Sequence, residues 1–141
     1  MRIVILPGGK APKYGTPNSA GFDVSSRITT RIKPGERKLI PVGLIFELPE
    51  GLEAQVRPRS GLAVNHGITV LNTPGTIDSD YRGEVAAILI NHSTEDFIIK
   101  IGDRIAQIVI AKYEQPNFEE TTLEELTKTV RSDGGFGHTG I

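Results

Sequence analysis

The sequence has no cysteine, no tryptophan and only one methionine, and neither sign of charge dominates it. Without cysteine there can be no disulfide and no thiolate metal site. A formal net charge of −1 leaves no broad basic field for gripping a nucleic acid polymer. The chain contains no run of about 18 apolar residues, the minimum for a membrane-spanning helix. The opening "MRIVILPGGK" has too short an apolar part for a signal peptide and offers no cleavage site, so a soluble, cytoplasmic or otherwise intracellular protein is the expectation. The three histidines, His66, His92 and His138, lie far apart without metal-ligand spacing. There is no Walker A loop, no G-x-S-x-G elbow and no Rossmann glycine fingerprint.

What is present favours turns and short strands. The 141 residues suit one domain, and 16 glycines with 9 prolines argue against long helices. "RIVIL" (2–6) reads as a strand halted by "PGG", residues 7–20 as loop, and "FDVSS" as a new extended segment. "RKLIPVGLIFELP" reads as two strands broken at Pro41–Gly43, and "LEAQVRP" alternates with period two like a strand with one wet face. "ITVLN", "EVAAILIN", "FIIKI" and "RIAQIVIAKY" complete the strand candidates. Turn signals recur roughly every 8–12 residues, the pattern of an all-β sandwich or barrel. "SGLAVNHG" predicts one helical turn with Ser60 as N-cap and Gly67 as stop, and "TTLEELTK" (121–128) a short helix with Thr121 and Glu124 as a capping box. A single β domain over 1–130 is expected, followed by a flexible C-terminal arm over 131–141.

Five stretches carry residue types suited to chemistry. In "RPRSGLA" (57–63), Arg59, Ser60 and Gly61 at a helix start offer a guanidinium, a hydroxyl and backbone N–H groups to an anion; a strand end with solvated arginines explains the same residues. "NTPGTIDSDYRGE" (72–84) reads as a hairpin between strands. Asp78 and Asp80 share a face if extended, one of them could serve as general base on water, and Tyr81 could lie flat against a sugar or base; solvated surface acids are the plainer explanation. In "GDRIAQIVI" (102–110), Gln107 interrupts an apolar run and needs a partner, either a ligand or water, or a neighbouring backbone group. In "AGFDVSS" (20–26), Asp23 opposes Phe22 and Val24 and could bind water around a metal or simply face solvent. In "RSDGGFGHTGI" (131–141), glycines permit close backbone approach to phosphates, Arg131 brings charge, Phe136 can stack on a base, and His138 and Thr139 can donate to oxygens.

Taken in order, these five stretches resemble the five motifs of the trimeric deoxyuridine triphosphatases (dUTP pyrophosphatases), over nearly the whole chain. The resemblance implies a jelly-roll β fold with at most one short helix, a homotrimer with active sites at its subunit interfaces, and Mg²⁺-assisted hydrolysis of dUTP to dUMP and pyrophosphate. Such an activity limits uracil in DNA and supplies dUMP. By the same resemblance, Asp78 contacts the 3′-OH and orients the attacking water, while Tyr81 lies under the deoxyribose and leaves no room for a 2′-OH. Asn72 and the backbone at Gly75, Thr76 and Ile77 read the uracil edge. Arg59, Ser60, Gly61 and Gln107 meet the phosphates, with Arg59, Ser60 and Gln107 joining Asp78 in catalysis. Asp23 reaches the metal through water, and the metal itself is held mainly by the phosphates. Arg131, Phe136, Gly137, His138 and Thr139 form the closing arm, with Phe136 over the uracil.

Two positions depart from the family pattern. His138 stands where serine is common, which would add a modest pH dependence to KM. Phe22 stands where tyrosine is frequent and keeps the ring. Two other readings stay open: a deaminase of dCTP on a related fold, against which "IDSDYRGE" argues, and a nucleotide-binding relative without catalysis, against which the intact motifs argue.

Overall fold

Alternation along the chain builds the strands and chooses their buried face. In β3 (Gly21–Ser25), Phe22 and Val24 are buried while their neighbours are half-exposed. In β12 (Arg104–Lys112), Ile105, Ala106 and Ile108 are buried. The computed structural model describes residues 1–135.

The remaining strands are β1 (Arg2–Ile5), β2 (Lys13–Tyr14), β4 (Thr30–Ile32), β5 (Arg37–Pro41), β6 (Leu44–Glu47), β7 (Leu52–Arg57), β8 (Ile68–Val70), β9 (Gly75–Ile77), β10 (Ala86–Asn91) and β11 (Phe97–Ile99). Every pairing is antiparallel. A five-stranded sheet runs β2-β3-β12-β7-β9, a three-stranded sheet runs β5-β10-β8, and β1-β6 and β4-β11 form two-stranded ribbons. One apolar cluster joins them, with Phe22, Phe46, Ile32, Ile40, Leu89 and Ile108 among its most buried members. Each such side chain contributes about 1.5–3 kcal/mol by leaving water. Among the described residues, no helix is long and apolar enough to cross a membrane.

The all-β expectation holds, with four differences of detail. The stretch read as loop over 7–20 contains β2, which adds two residues to the edge of β3. The expected hairpin exists, since β8 and β10 pair, but its long connection also lends β9 to β7 in the other sheet. The helix α1 (Ser60–His66) starts one residue earlier than the capping argument places it: Arg59 is the N-cap, with extended φ and ψ and no side-chain cap, and Ser60 is the first helical residue. Gly67 ends it as expected, at φ 63° in the left-handed region. Finally, 121–128 forms a turn and no helix. Glu125, not Glu124, accepts from Thr121 Oγ1 (2.8 Å) and from the Thr122 N–H (3.1 Å). Leu123 and Leu126 are exposed, so no packed face sustains a helix this short.

Candidate active site

Register creates the first half of the site. Across the five-stranded sheet, Lys13 pairs with Asp23, Asp23 with Gln107, and Gln107 with Arg57. Cross-strand partners project from the same face of a sheet, so these four polar side chains form one row. A bulge between Arg104 and Ala106 shifts the register of β12 against β3. It allows Ile105 and Ala106 both to be buried, while Gln107 lies on the polar face.

Arg59 folds back from the end of β7 onto this row. Its Nε donates to Asp23 Oδ1 at 2.9 Å and its Nη1 to the Arg104 carbonyl at 3.2 Å. Arg104 Nη1 donates to the other carboxylate oxygen of Asp23 at 3.0 Å. Asp23 therefore bridges two arginines. Gln107 spends its Nε2 on the Pro58 carbonyl at 2.9 Å and so braces the residue before Arg59. Of the two partners considered for this glutamine, the structure supplies the backbone. Ser60 and Gly61 are exposed at the start of α1, next to Arg59. Arg59 and Arg104 line a cavity of about 310 Å³ with Leu62 and Phe97.

The second half lies in the connection between β8 and β10. Asn72 packs against Gly75, where a Cβ would stand 3.1 Å from its Nδ2. The Thr73–Pro74 peptide between them is cis. β9 ends at Ile77, and the Tyr81 N–H then donates to the Asp78 carbonyl at 3.2 Å, closing a turn. Asp78 and Asp80 thus occupy a turn, and the shared strand face anticipated for them does not form, because pairing with β7 stops at Ile77. Tyr81 folds over Gly83 so closely that a Cβ there would sit 2.2 Å from the phenol oxygen, which donates to the Glu84 carbonyl at 3.2 Å. Asn72, Gly75, Thr76, Ile77, Asp78 and Tyr81 line one cavity of about 270 Å³ together with Val56, Glu84 and Ile88. The Asp78 carboxylate is exposed and accepts no hydrogen bond among the described residues. It also borders a wider polar depression with Asp80, Glu50 and Glu53.

The anticipated residues thus fall into two clusters with separate cavities. Arg131 joins neither; it is exposed, and its Nε donates to the Gly134 carbonyl at 2.8 Å. Phe136, Gly137, His138 and Thr139 lie outside the described residues. Three contributors were not singled out from sequence. Arg104 holds Asp23. Glu84 takes Arg27 Nε at 2.5 Å, Arg27 Nη2 at 2.7 Å and the Gly43 N–H at 2.8 Å. Arg27 completes that pair. The available signal for Glu84 was a charge two residues before β10. Hydrogen bonding from Arg27 and Gly43, with the Arg27 charge, holds the Glu84 carboxyl below the usual range, although its burial opposes this.

No group of three or more His, Asp or Glu side chains among the described residues could hold a metal. The oxygen donors of Asp23 and Asp78 would suit a hard cation that keeps its water better than a soft one.

Comparison with known proteins gives the family. The family model described as dUTPase matches residues 8–140. The deoxyuridine 5′-triphosphate nucleotidohydrolase of Nautilia profundicola is 61% identical over 129 residues, covering 92% of this chain and 89% of that protein. Its counterpart in Rickettsia akari is 56% identical over 135 residues, covering 94% and 90%. Among solved structures, a mutant Staphylococcus bacteriophage 80alpha dUTPase with dUpNHpp superposes with TM-score 0.91 at 21% identity, covering 99% of this chain and 98% of that one. A mutant dUTPase of phage phi11 of S. aureus, described with a structural Mg(II) ion, superposes with TM-score 0.82 at 21% identity, covering 91% and 98%. The fold shared with these structures is the jelly roll, and the chain belongs to the dUTPase family.

Proposed function

We propose that the protein hydrolyses dUTP to dUMP and pyrophosphate, with the reaction divided between the two clusters. The observation that carries this reading is the contrast between its two site carboxylates. Asp23 is tied to two arginines, whereas Asp78 meets no donor among the described residues and lines a cavity together with Tyr81. A carboxylate so placed can accept from a sugar hydroxyl and from water.

In this scheme the uracil edge lies against Asn72 and the backbone of 75–77, which line one cavity. Exclusion of the thymine methyl is steric, and the cytosine amine meets mismatched donors. The Tyr81 ring lies under the deoxyribose. Asp78 holds water in line with the α-phosphorus. The water oxygen bonds to that phosphorus as its proton passes to the Asp78 carboxylate, the bond to the bridging oxygen breaks, and pyrophosphate leaves. Arg59, Ser60, Gly61 and Gln107 hold the phosphates, and fixed donors need no reorganisation as charge develops. Mg²⁺ bound to the phosphates would offset their charge. Arg131 with Phe136, Gly137, His138 and Thr139 would close over the nucleotide, with residues 131–141 acting as a lid on the β domain.

We further propose a homotrimer whose subunits complete one another's sites. The two clusters line separate cavities within one chain, which supports a nucleotide bridging between copies. Leu39, Leu71, Val64, Ile98 and Ile101 are large apolar side chains left exposed, as expected of surfaces that a second copy covers. The cytoplasm is the proposed compartment.

The test is pyrophosphate release from dUTP, with dCTP, dTTP and UTP in parallel, each with Mg²⁺ and with chelator. Mg²⁺-dependent release from dUTP alone is expected. Ammonia release from dCTP would favour the deaminase reading, and no release from any nucleotide would leave a binding protein.

A further inference from the structure

The ion pair between Arg27 and Glu84 has no role in the scheme above, although Glu84 borders the same cavity as Tyr81. It is half-buried, with side chains 32% and 23% exposed. It is bidentate, and the same carboxylate also takes the Gly43 N–H. These three residues come from three different places. Arg27 follows β3, Gly43 sits in the turn between β5 and β6, and Glu84 ends the segment that carries Tyr81. The neighbouring backbone repeats the attachment: the Val85 N–H donates to the Leu44 carbonyl at 2.8 Å and the Val42 N–H to the Val85 carbonyl at 3.1 Å.

Tyr81 depends on this anchor through two contacts. Its hydroxyl donates to the carbonyl of Glu84, and its ring rests on Gly83. The ring is otherwise open, being 47% exposed on a turn. The height of the ring therefore follows the position of residues 83–84, and the carboxylate of Glu84 fixes that position against the body of the fold.

We propose that Arg27 and Glu84 are positioning residues that set deoxyribose selectivity by holding the backstop of Tyr81. The inference rests on the proposed dUTP reading, in which the ring excludes a 2′-hydroxyl. A steric filter discriminates only if its wall cannot retreat. A hydroxyl adds about 1.4 Å of reach, roughly one water radius, so a small retreat of the ring is enough to admit it. Neither side chain needs to touch the nucleotide for this.

The experiment compares kcat/KM for dUTP and for UTP in the wild-type protein, Glu84→Gln, Arg27→Met and Arg27→Lys, with Tm recorded for each. Glutamine keeps the shape of Glu84 and its bond from Gly43 but removes the charge. We expect the dUTP:UTP ratio to fall about tenfold in Glu84→Gln and Arg27→Met, and less in Arg27→Lys, which retains a cation. General loss of folded protein lowers both substrates together and leaves the ratio alone, so the ratio separates positioning from stability. A ratio equal to wild type in folded Glu84→Gln or Arg27→Met overturns the inference, whatever happens to overall rate. If the wild-type protein releases no pyrophosphate from dUTP, the underlying functional reading has failed; if it does and the ratio stays fixed, only the role of the pair has failed.

Discussion

The two halves of the site are made in different ways. The arginine corner is made by charge: Asp23 fixes Arg59 and Arg104, and Gln107 props Pro58 beside them. The nucleoside corner is made by shape: Asn72 lies on Gly75, Tyr81 on Gly83, and Asp78 stands without a donor among the described residues. The two aspartates of the proposed site thus differ in what they can do. A carboxylate already held by two guanidiniums is a poor candidate for moving a proton but a good one for aiming them. A carboxylate held by nothing contributes little to the fold and is available to water.

Asp78→Asn tests that contrast most sharply. Removing a positioned carboxylate that assists proton transfer should lower kcat by about 10²–10⁴-fold. Because the side chain is exposed and unpaired among the described residues, unfolding free energy should change by no more than about 0.5 kcal/mol. Single-turnover kinetics and denaturant titration on one preparation give both values. A large stability loss would mean that Asp78 holds the turn and that the contrast with Asp23 is drawn wrongly.

Asp23→Asn should act differently and less strongly. The amide presents one acceptor and no charge, so Arg59 and Arg104 lose their common anchor. KM for dUTP should rise, by about tenfold for one misplaced charge-assisted contact, with a smaller change in kcat. Substrate titrations separate the two constants. If Asp23→Asn instead lowered kcat as far as Asp78→Asn at unchanged KM, the division into an aiming and a reacting carboxylate would collapse.

Why one corner was more legible in the sequence than the other has a physical explanation. Strands such as β7, β10 and β12 declare themselves because period-two burial needs only local residues. β9 does not: its three residues become a strand only because β7 offers an unpaired edge, which is a tertiary fact. Ser60 has the chemistry of an N-cap, yet the chain enters α1 one residue earlier, and Arg59, busy with Asp23, occupies the cap. Asp23, Asp78, Tyr81 and Arg59 could be singled out by residue type and context. The row linking Asp23 to Gln107 depends on register and on the bulge after Arg104, which residue types alone do not encode. Glu84 escaped notice for the same reason, since its partners lie 57 and 41 positions away in the chain.

The smallest expected effect concerns that glutamate. Arg27 holds the Glu84 carboxyl below its ordinary range in the folded protein. In the unfolded chain Glu84 would titrate at its ordinary value of 4.5. A carboxyl whose folded value is depressed contributes stability that is fully present above the unfolded value, and that contribution fades as pH falls through the folded one. Glu36, Glu47 and Glu125 are shifted the same way by their own hydrogen bonds, so the acid limb of wild type alone does not isolate Glu84. The difference between wild type and Glu84→Gln does. Above about pH 5 the wild type should be the more stable, and the gap should narrow as pH falls toward 3, because glutamine has no proton to take up. Denaturant midpoints across that range measure it. Parallel curves would mean that the Glu84 carboxyl takes up its proton alike in the folded and unfolded chains, so that Arg27 does not depress it.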